Sequence, residues 1–182
     1  MDIDANLLAM AKREIQKGQD SKAFEKLLLK YEKLIYYISR KYFTSHDDAL
    51  DASQEAAVKI YNAITKLNMP ETGSLKAWVC TVTARTCLDI LRKKRPETTE
   101  LIPETITETT PSAETIALAN EQAQKLATAI QNLSIDYKTI IILRDMQGLS
   151  YEEIATALNI NSGTVKSRLS RARLRLRDMI RD

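Results

Sequence analysis

The sequence predicts an all-α protein made of two small helical domains joined by a flexible acidic linker. Glycine and proline occur only four times each among the 182 residues. Helix-favouring residues dominate, and the two-residue alternation that indicates a half-buried strand is rare. Apolar residues make up 44% of the chain, which is enough to form a core in each domain.

Charge divides the chain into three parts. Residues 1–95 carry 17 basic and 12 acidic side chains, residues 96–130 carry one and six, and residues 131–182 carry nine and six. The stretch 96–114 is rich in Pro, Thr and Glu and cannot bury enough apolar surface to fold alone. We therefore predict domains at 1–95 and 115–182, joined by a linker at 96–114. Basic domains flanking an acidic middle suit nucleic-acid binding.

Several classes of protein are disfavoured by the residues themselves. No apolar stretch is long enough to span a bilayer and no signal-peptide pattern opens the chain, so we expect a cytoplasmic protein without membrane insertion. Cys80, Cys87 and His46 cannot supply the four ligands of a structural zinc site. The cysteines are predicted to be buried thiols, with a regulatory disulfide as the alternative. Without a phosphate-binding glycine loop, a metal cluster or a nucleophile–base pair, we predict no enzyme and no cofactor.

Four helices are predicted in the first domain, over residues 5–17, 21–42, 48–67 and 75–95. Asp20 or Ser21 can cap the second helix. The third helix has a stripe of small and apolar residues suited to close packing: Ala49, Ala52, Ala56, Ile60 and Ala63. Its polar residues project from another side, which by itself indicates a solvated face: Asp48, Asp51, Gln54, Glu55 and Lys59. A loop framed by Pro70 and Gly73 precedes the fourth helix.

Two helices are predicted to open the second domain. The helix over 115–133 is expected to pack through four side chains: Ile116, Leu126, Ala129 and Ile130. The helix over 135–147 can be capped by Ser134 and ended by Gly148 as the C′ residue. Its core residues are predicted to be Ile140, Ile141 and Leu143.

The stretch from Gly148 to Arg177 predicts two short helices joined by a tight turn. Ser150 and Glu153 form the sequence pattern of a capping box, after which Ile154, Ala155 and Leu158 line one face. Asn159 tolerates the left-handed backbone that such turns need, and Asn161 or Ser162 can cap the last helix. That helix has an apolar stripe of Val165, Leu169, Ala172 and Leu176.

A short turn followed by a basic helix is typical of a helix-turn-helix, whose second helix enters the DNA major groove. The alternative is a solvated basic helix in an ordinary bundle. Five polar residues lie off the apolar stripe and could meet DNA: Lys166, Ser167, Ser170, Arg171 and Arg173. The capping box, the turn and the stripe together favour DNA binding.

The segment LSYEEIATALNINSGTVKSRLSRARLRLR resembles the promoter-reading domain of bacterial sigma factors of the extracytoplasmic-function (ECF) group. The rest of the chain follows the family's order: a docking helix, a loop with a tryptophan helix, an acidic linker and a terminal helix-turn-helix. The resemblance implies a sigma factor that binds core RNA polymerase, through its β′ and β subunits, and promoter DNA. It also implies a stress- or signal-responsive regulon and an anti-sigma factor as a further partner.

The resemblance also implies roles for particular residues. Asp-x-x-Gln-Glu is similar to the segment that docks on the β′ clamp helices, which assigns polymerase binding to Asp48, Asp51, Gln54, Glu55 and Lys59. The minus-ten element would be met by Asn68, Met69, Glu71, Thr72, Gly73, Ser74, Lys76, Trp78, Arg85 and Arg92. Arg85 stands where the family often has asparagine. The minus-35 element would be met by Arg144, Tyr151, Thr164, Lys166, Ser167, Arg168, Ser170, Arg171 and Arg173. Of these, Arg168 and Arg173 are expected to hold phosphates.

Two alternative functions remain from the sequence. A helix-turn-helix regulator could bind DNA without polymerase and use residues 1–95 as a sensor domain, but this leaves Asp51, Gln54 and Glu55 without a role. A recombinase could use the terminal motif to find its site. It would need a nucleophilic Ser or Tyr beside clustered arginines, whereas the tyrosines here lie in apolar repeats.

Overall fold

The computed structural model describes residues 3–66, 74–94 and 114–181, and these form helices connected by turns. The chain divides into two compact units, Met1–Lys94 and Arg95–Asp182. No strand is present in the described residues, and the predicted all-α fold is confirmed. None of the described helices is both long and apolar enough to cross a bilayer. Residues 67–73 and 95–113, with most of the predicted loop and linker, lie outside the described residues.

Four helices lie in the described residues of the first unit: α1 (Ile3–Gln16), α2 (Lys22–Tyr42), α3 (His46–Ile64) and α4 (Leu75–Lys94). The α2 helix packs against the other three, and α3 also packs against α4. Ser21 is the cap of α2, since its hydroxyl oxygen accepts a hydrogen bond from the Phe24 amide at 3.0 Å. Ser45 caps α3 by accepting from the Asp48 amide, so this helix begins two residues before the predicted start.

The predicted stripe on α3 is confirmed at four of its five positions. Ala49, Ala52, Ala56 and Ile60 are at most 1% exposed. The fifth buried position is Ile64, whereas Ala63 is only half-buried. Ile64 joins a cluster with Leu75 and Val79 of α4, which its larger side chain reaches. The small residues allow α3 to approach its neighbours closely, which fixes the direction of its polar side.

Both cysteines are buried thiols on α4, as predicted. Seven residues of helix separate Cys80 and Cys87 by about 10 Å, beyond the reach of a disulfide. The Cys87 thiol lies 3.7 Å from the Ser39 hydroxyl, and burial raises its pKa to about 12. The alternative of a regulatory disulfide between these two residues is therefore wrong.

The second unit contains α5 (Glu114–Gln131), α6 (Ile135–Ile141), α7 (Tyr151–Leu158) and α8 (Ser162–Arg181). The helix predicted over 135–147 is interrupted, because residues 142–146 form a π-helical turn. The Gln147 amide donates to the Ile142 carbonyl at 3.0 Å, which inserts one extra residue into the turn. Gly148 ends the segment with φ +78°, as predicted for the C′ residue. Ser134 precedes α6, but its side chain makes no capping hydrogen bond.

The predicted packing of α5 is partly wrong. Ala129 and Ile130 are buried, but Leu126 is 42% exposed, and the Ile116 side chain lies outside the described residues. Residues 121–128 are all exposed, so Ala129 is the first buried residue among the α5 side chains that the structure describes. The predicted core of α6 and the turn after it is confirmed, since Ile140, Ile141 and Leu143 are at most 2% exposed.

Lys138 on α6 is buried, which sequence reasoning did not predict. Its ammonium group donates a hydrogen bond to the Gln131 side-chain oxygen at 3.2 Å. Burial lowers the pKa of Lys138 from 10.5 to about 8, because removal from water disfavours the charged form. The unfolded chain therefore binds more protons than the folded chain between about pH 8 and 10.5. The free energy of unfolding should rise with pH across this window.

We expect Lys138→Met to stabilise the second unit at pH 7 by on the order of 1–3 kcal/mol, because it removes a buried charge but keeps an apolar stem. The difference from the wild type should shrink as the pH rises to about 10. Thermal unfolding followed by circular dichroism measures it, and Trp78 fluorescence identifies the transition of the first unit. Lys125→Met, at an exposed lysine of α5, is the control. An equal Lys138→Met effect at both pH values would contradict the prediction.

Candidate nucleic-acid interface and docking face

The helix-turn-helix of the second unit is set by local hydrogen bonds. The predicted capping box is present: the Ser150 hydroxyl oxygen accepts from the Glu153 amide at 3.1 Å, and the Glu153 carboxylate accepts from the Ser150 amide at 2.7 Å. Asn159 takes the left-handed conformation with φ +53°. Asn161 caps α8, since its side-chain oxygen accepts from the Thr164 amide at 2.6 Å. These contacts fix where α8 starts and the angle at which it leaves the turn.

The apolar faces of α7 and α8 meet inside the unit. Val165, Leu169, Ala172 and Leu176 are all buried, which confirms the predicted stripe. On α7 the fully buried residues are Ile154 and Ala157. The predicted Ala155 and Leu158 are only half-buried. The buried side of α7 therefore runs through Ile154 and Ala157 instead.

The opposite side of α8 presents the predicted DNA-contacting residues. Lys166, Ser167, Ser170 and Arg171 are exposed. Arg171 forms no ion pair with any residue that the structure describes. Thr164 is half-buried, and its hydroxyl donates to the Asn161 side chain at 2.9 Å. These four exposed residues, two cations and two serines, therefore all lie in the first half of α8.

Two other arginines of α8 are held by acids of the same unit. The Nη1 atom of Arg168 lies 3.3 Å from a carboxylate oxygen of Asp136 on α6. Arg173 forms a bidentate pair with Asp145 of the π-helical turn, with Nε and Nη2 donating over 3.0 and 2.5 Å. Sequence reasoning missed both acids, since 28 residues separate Asp145 from Arg173 and no short-range pattern links them.

Arg144 and Tyr151 lie next to each other at the base of α7. The Arg144 guanidinium carbon is 4.7 Å from the centre of the Tyr151 ring, and the Lys166 ammonium is 5.7 Å from the same centre. Arg144 also donates to the Leu149 carbonyl at 2.6 Å. An aromatic face attracts cations at such distances. The structure thus brings together Arg144, Tyr151 and Lys166, three residues that were each predicted to contact the minus-35 element.

In the first unit, α3 presents a polar face away from its small-residue stripe. Asp51 and Gln54 are exposed, whereas Asp48, Glu55 and Lys59 are half-buried. Lys59 lies 3.0 Å from Glu55 and 3.6 Å from Asp89 of α4. Glu55 and Lys59 therefore also link α3 to α4, and Asp51 and Gln54 are the most accessible of the predicted docking residues.

Apolar side chains lie on the same exposed side of α3. Val58 is 58% exposed, Tyr61 41% and Leu50 40%. These exposed apolar residues were not predicted from the sequence. Leu50 and Val58 could have been found, because they are apolar residues that fall outside the buried stripe of α3. Exposed apolar side chains that lie together can supply buried area in an interface with another protein.

The residues predicted to meet the minus-ten element are only partly described. Asn68, Met69, Glu71, Thr72 and Gly73 lie outside the described residues. On α4, Lys76, Arg85 and Arg92 are exposed, and Trp78 is half-buried against the core. The Ser74 hydroxyl oxygen accepts from the Ala77 amide at 3.0 Å and so caps α4. The predicted minus-ten residues that the structure describes are thus distributed along α4, from its start to its last turn.

Most of the chain is similar to known proteins. Residues 27–97 match the family Sigma-70 region 2, and residues 123–176 match Sigma-70, region 4. The chain is 31% identical over 170 residues to the ECF RNA polymerase sigma-E factor of Escherichia coli, covering 87% of this chain and 86% of that protein. It is 26% identical over 161 residues to the ECF RNA polymerase sigma factor SigE of Mycolicibacterium smegmatis. That match covers 87% of this chain. It covers 62% of SigE, which is less than two thirds of that protein.

A solved structure supports the same relationship. The sigma factor RpoE of Bartonella quintana, crystallised in complex with the anti-sigma factor NepR, aligns with a TM-score of 0.66. The two chains are 26% identical, and the alignment covers 88% of this chain and 98% of that chain.

Proposed function

This chain belongs to the extracytoplasmic-function group of bacterial RNA polymerase sigma factors, and we propose how its described residues divide polymerase binding and promoter recognition. The domain at 1–95 docks on core polymerase and meets the minus-ten element. The domain at 115–182 meets the minus-35 element. Residues 96–114 connect the two domains.

The observation that carries the DNA assignment is the division of α8 into two sides. Its apolar stripe is fully buried, so Lys166, Ser167, Ser170 and Arg171 face outward near the start of the helix. This part of a recognition helix reaches base edges in the major groove. Arg171 can donate two hydrogen bonds to one guanine, while other exposed cations of α8 can contact phosphates. Arg144, placed against Tyr151, adds a cation at the start of α7.

The α3 face supports docking on polymerase. Asp51 and Gln54 are accessible and lie among the exposed side chains of Leu50, Val58 and Tyr61. Acidic groups steer and orient a basic partner surface, whereas the apolar groups contribute the area buried in the complex. A basic segment of the β′ subunit is the partner that fits both properties.

Further partners follow from the family rather than from a described contact. The RpoE relative was crystallised with an anti-sigma factor, and we infer that an anti-sigma factor also holds this chain inactive. Because the protein would work with polymerase and DNA, we infer that it acts in the cytoplasm. We assign it no catalytic step, since DNA opening and RNA synthesis then take place on the polymerase.

Run-off transcription tests the function directly. Purified core polymerase supplemented with this protein should start transcripts on the DNA upstream of the protein's own gene, and core polymerase alone should not. Co-purification of the chain with core polymerase separates a sigma factor from a regulator that binds DNA alone. A chain that binds this DNA, fails to bind core polymerase and starts no transcript would overturn the assignment.

A further inference from the structure

The pair formed by Arg173 and Asp145 joins α8 to the π-helical turn of the second unit. The Arg173 side chain is 55% exposed, so its guanidinium is accessible while two of its nitrogens bond the carboxylate. Asp145 follows Arg144 directly in the π-helical turn, which places an acid beside a predicted minus-35 contact. The charged groups closest along α8 are Arg171, Arg175 and Arg177, and Arg177 pairs with Asp178.

An exposed ion pair contributes little to the free energy of unfolding. Its effect on DNA binding is larger, because affinity for DNA of any sequence depends on the number of phosphates that cations neutralise. A carboxylate that holds Arg173 on two nitrogens cancels most of that side chain's attraction for phosphate. It also fixes the plane of the guanidinium, since the bidentate geometry permits one orientation.

We propose that Asp145 limits the affinity of the second unit for DNA of any sequence: by pairing with Arg173 it occupies a cation of α8 that would otherwise bind phosphate, so that less of the protein is held on DNA outside its promoters. This inference rests on the proposed role of α8 in promoter recognition. The Arg173–Asp145 pair is bidentate and joins residues that are 28 positions apart in the chain. Arg168 has a single contact of 3.3 Å with Asp136 and is restrained less.

The test compares Asp145→Asn with Asp178→Asn in the full chain. Both changes remove one negative charge, but Asp178 pairs with its own neighbour Arg177 in the last turns of α8, away from the end that enters the groove. Binding to a random-sequence duplex is measured between 50 and 200 mM salt. Asp145→Asn should steepen the dependence of affinity on salt by about one phosphate contact and tighten binding roughly threefold to tenfold at low salt. Asp178→Asn should match the wild type.

The same variants are then measured as holoenzyme on the promoter found by run-off transcription. Asp145→Asn should tighten promoter binding by a factor similar to that for random-sequence DNA, because a contact with phosphate does not depend on the base sequence. The double variant Arg173→Ala, Asp145→Asn restores the local charge and should recover the wild-type salt dependence. Circular dichroism melting checks that each variant is folded.

Two results would overturn the inference. Asp145→Asn could show the wild-type salt dependence, or Asp178→Asn could steepen it equally, in which case only net charge matters. Neither result affects the proposed function, because the wild-type holoenzyme would still prefer its promoter over random DNA. The proposed function fails in a different way, when the wild-type holoenzyme shows no such preference whatever the variants do.

Discussion

Alanine at Asp51, Gln54 and Glu55 is expected to weaken binding to core RNA polymerase roughly 10- to 100-fold, the range for removing several interface contacts that act together. Asp51 and Gln54 are exposed and lie off the buried stripe, so their loss should not disturb the helix. Glu55 also forms an ion pair with Lys59, which in turn forms an ion pair with Asp89 of α4. The variant therefore removes one internal contact in addition to the predicted external ones.

The contribution of that internal contact can be separated. The double variant Asp51→Ala, Gln54→Ala leaves the Glu55–Lys59 pair intact and should retain most of the loss. A control with Gln16→Ala and Glu32→Ala removes similar groups from exposed positions of α1 and α2. Affinity for core polymerase is measured by fluorescence titration, and helix content by circular dichroism. An affinity equal to that of the wild type in the triple variant would show that polymerase binds elsewhere.

Arg171→Ala and Arg173→Ala are expected to weaken promoter binding in different ways. Arg171 is exposed, has no acid partner among the described residues and lies one turn after Lys166. Its loss should cost roughly 1–3 kcal/mol on the best promoter and relax the preference at one base pair, as expected for a lost bidentate contact with a base.

Arg173→Ala should instead weaken all sequences alike. The change leaves the Asp145 carboxylate without its partner near the phosphates, so the salt dependence should decrease by about one contact. A panel of promoters with single base-pair changes, measured at several salt concentrations, distinguishes the two variants. Identical sequence profiles and identical salt dependence would mean that the arginines of α8 form one undifferentiated basic face.

The local pattern of residues was sufficient to predict most elements of the fold. Caps depend on neighbours within three or four residues, so Ser150 with Glu153 and the left-handed Asn159 could be identified from the chain alone. The buried stripe of α8 follows in the same way from helical periodicity. Because the side of α8 that faces the core was predictable, so were the side chains that face outward, including Lys166 and Arg171.

Contacts between distant parts of the chain were decided only by the tertiary structure. No pattern in the sequence shows that Asp145 holds Arg173, because their pairing requires the π-helical turn to lie against α8. Lys138 looks like a surface lysine in the chain, yet the packing of its helix buries it. Leu126 has the spacing of a core residue and remains exposed, as do all residues from 121 to 128 of α5. Helical periodicity indicates which side of a helix is apolar, but the neighbour that covers each part of that side is set by long-range packing.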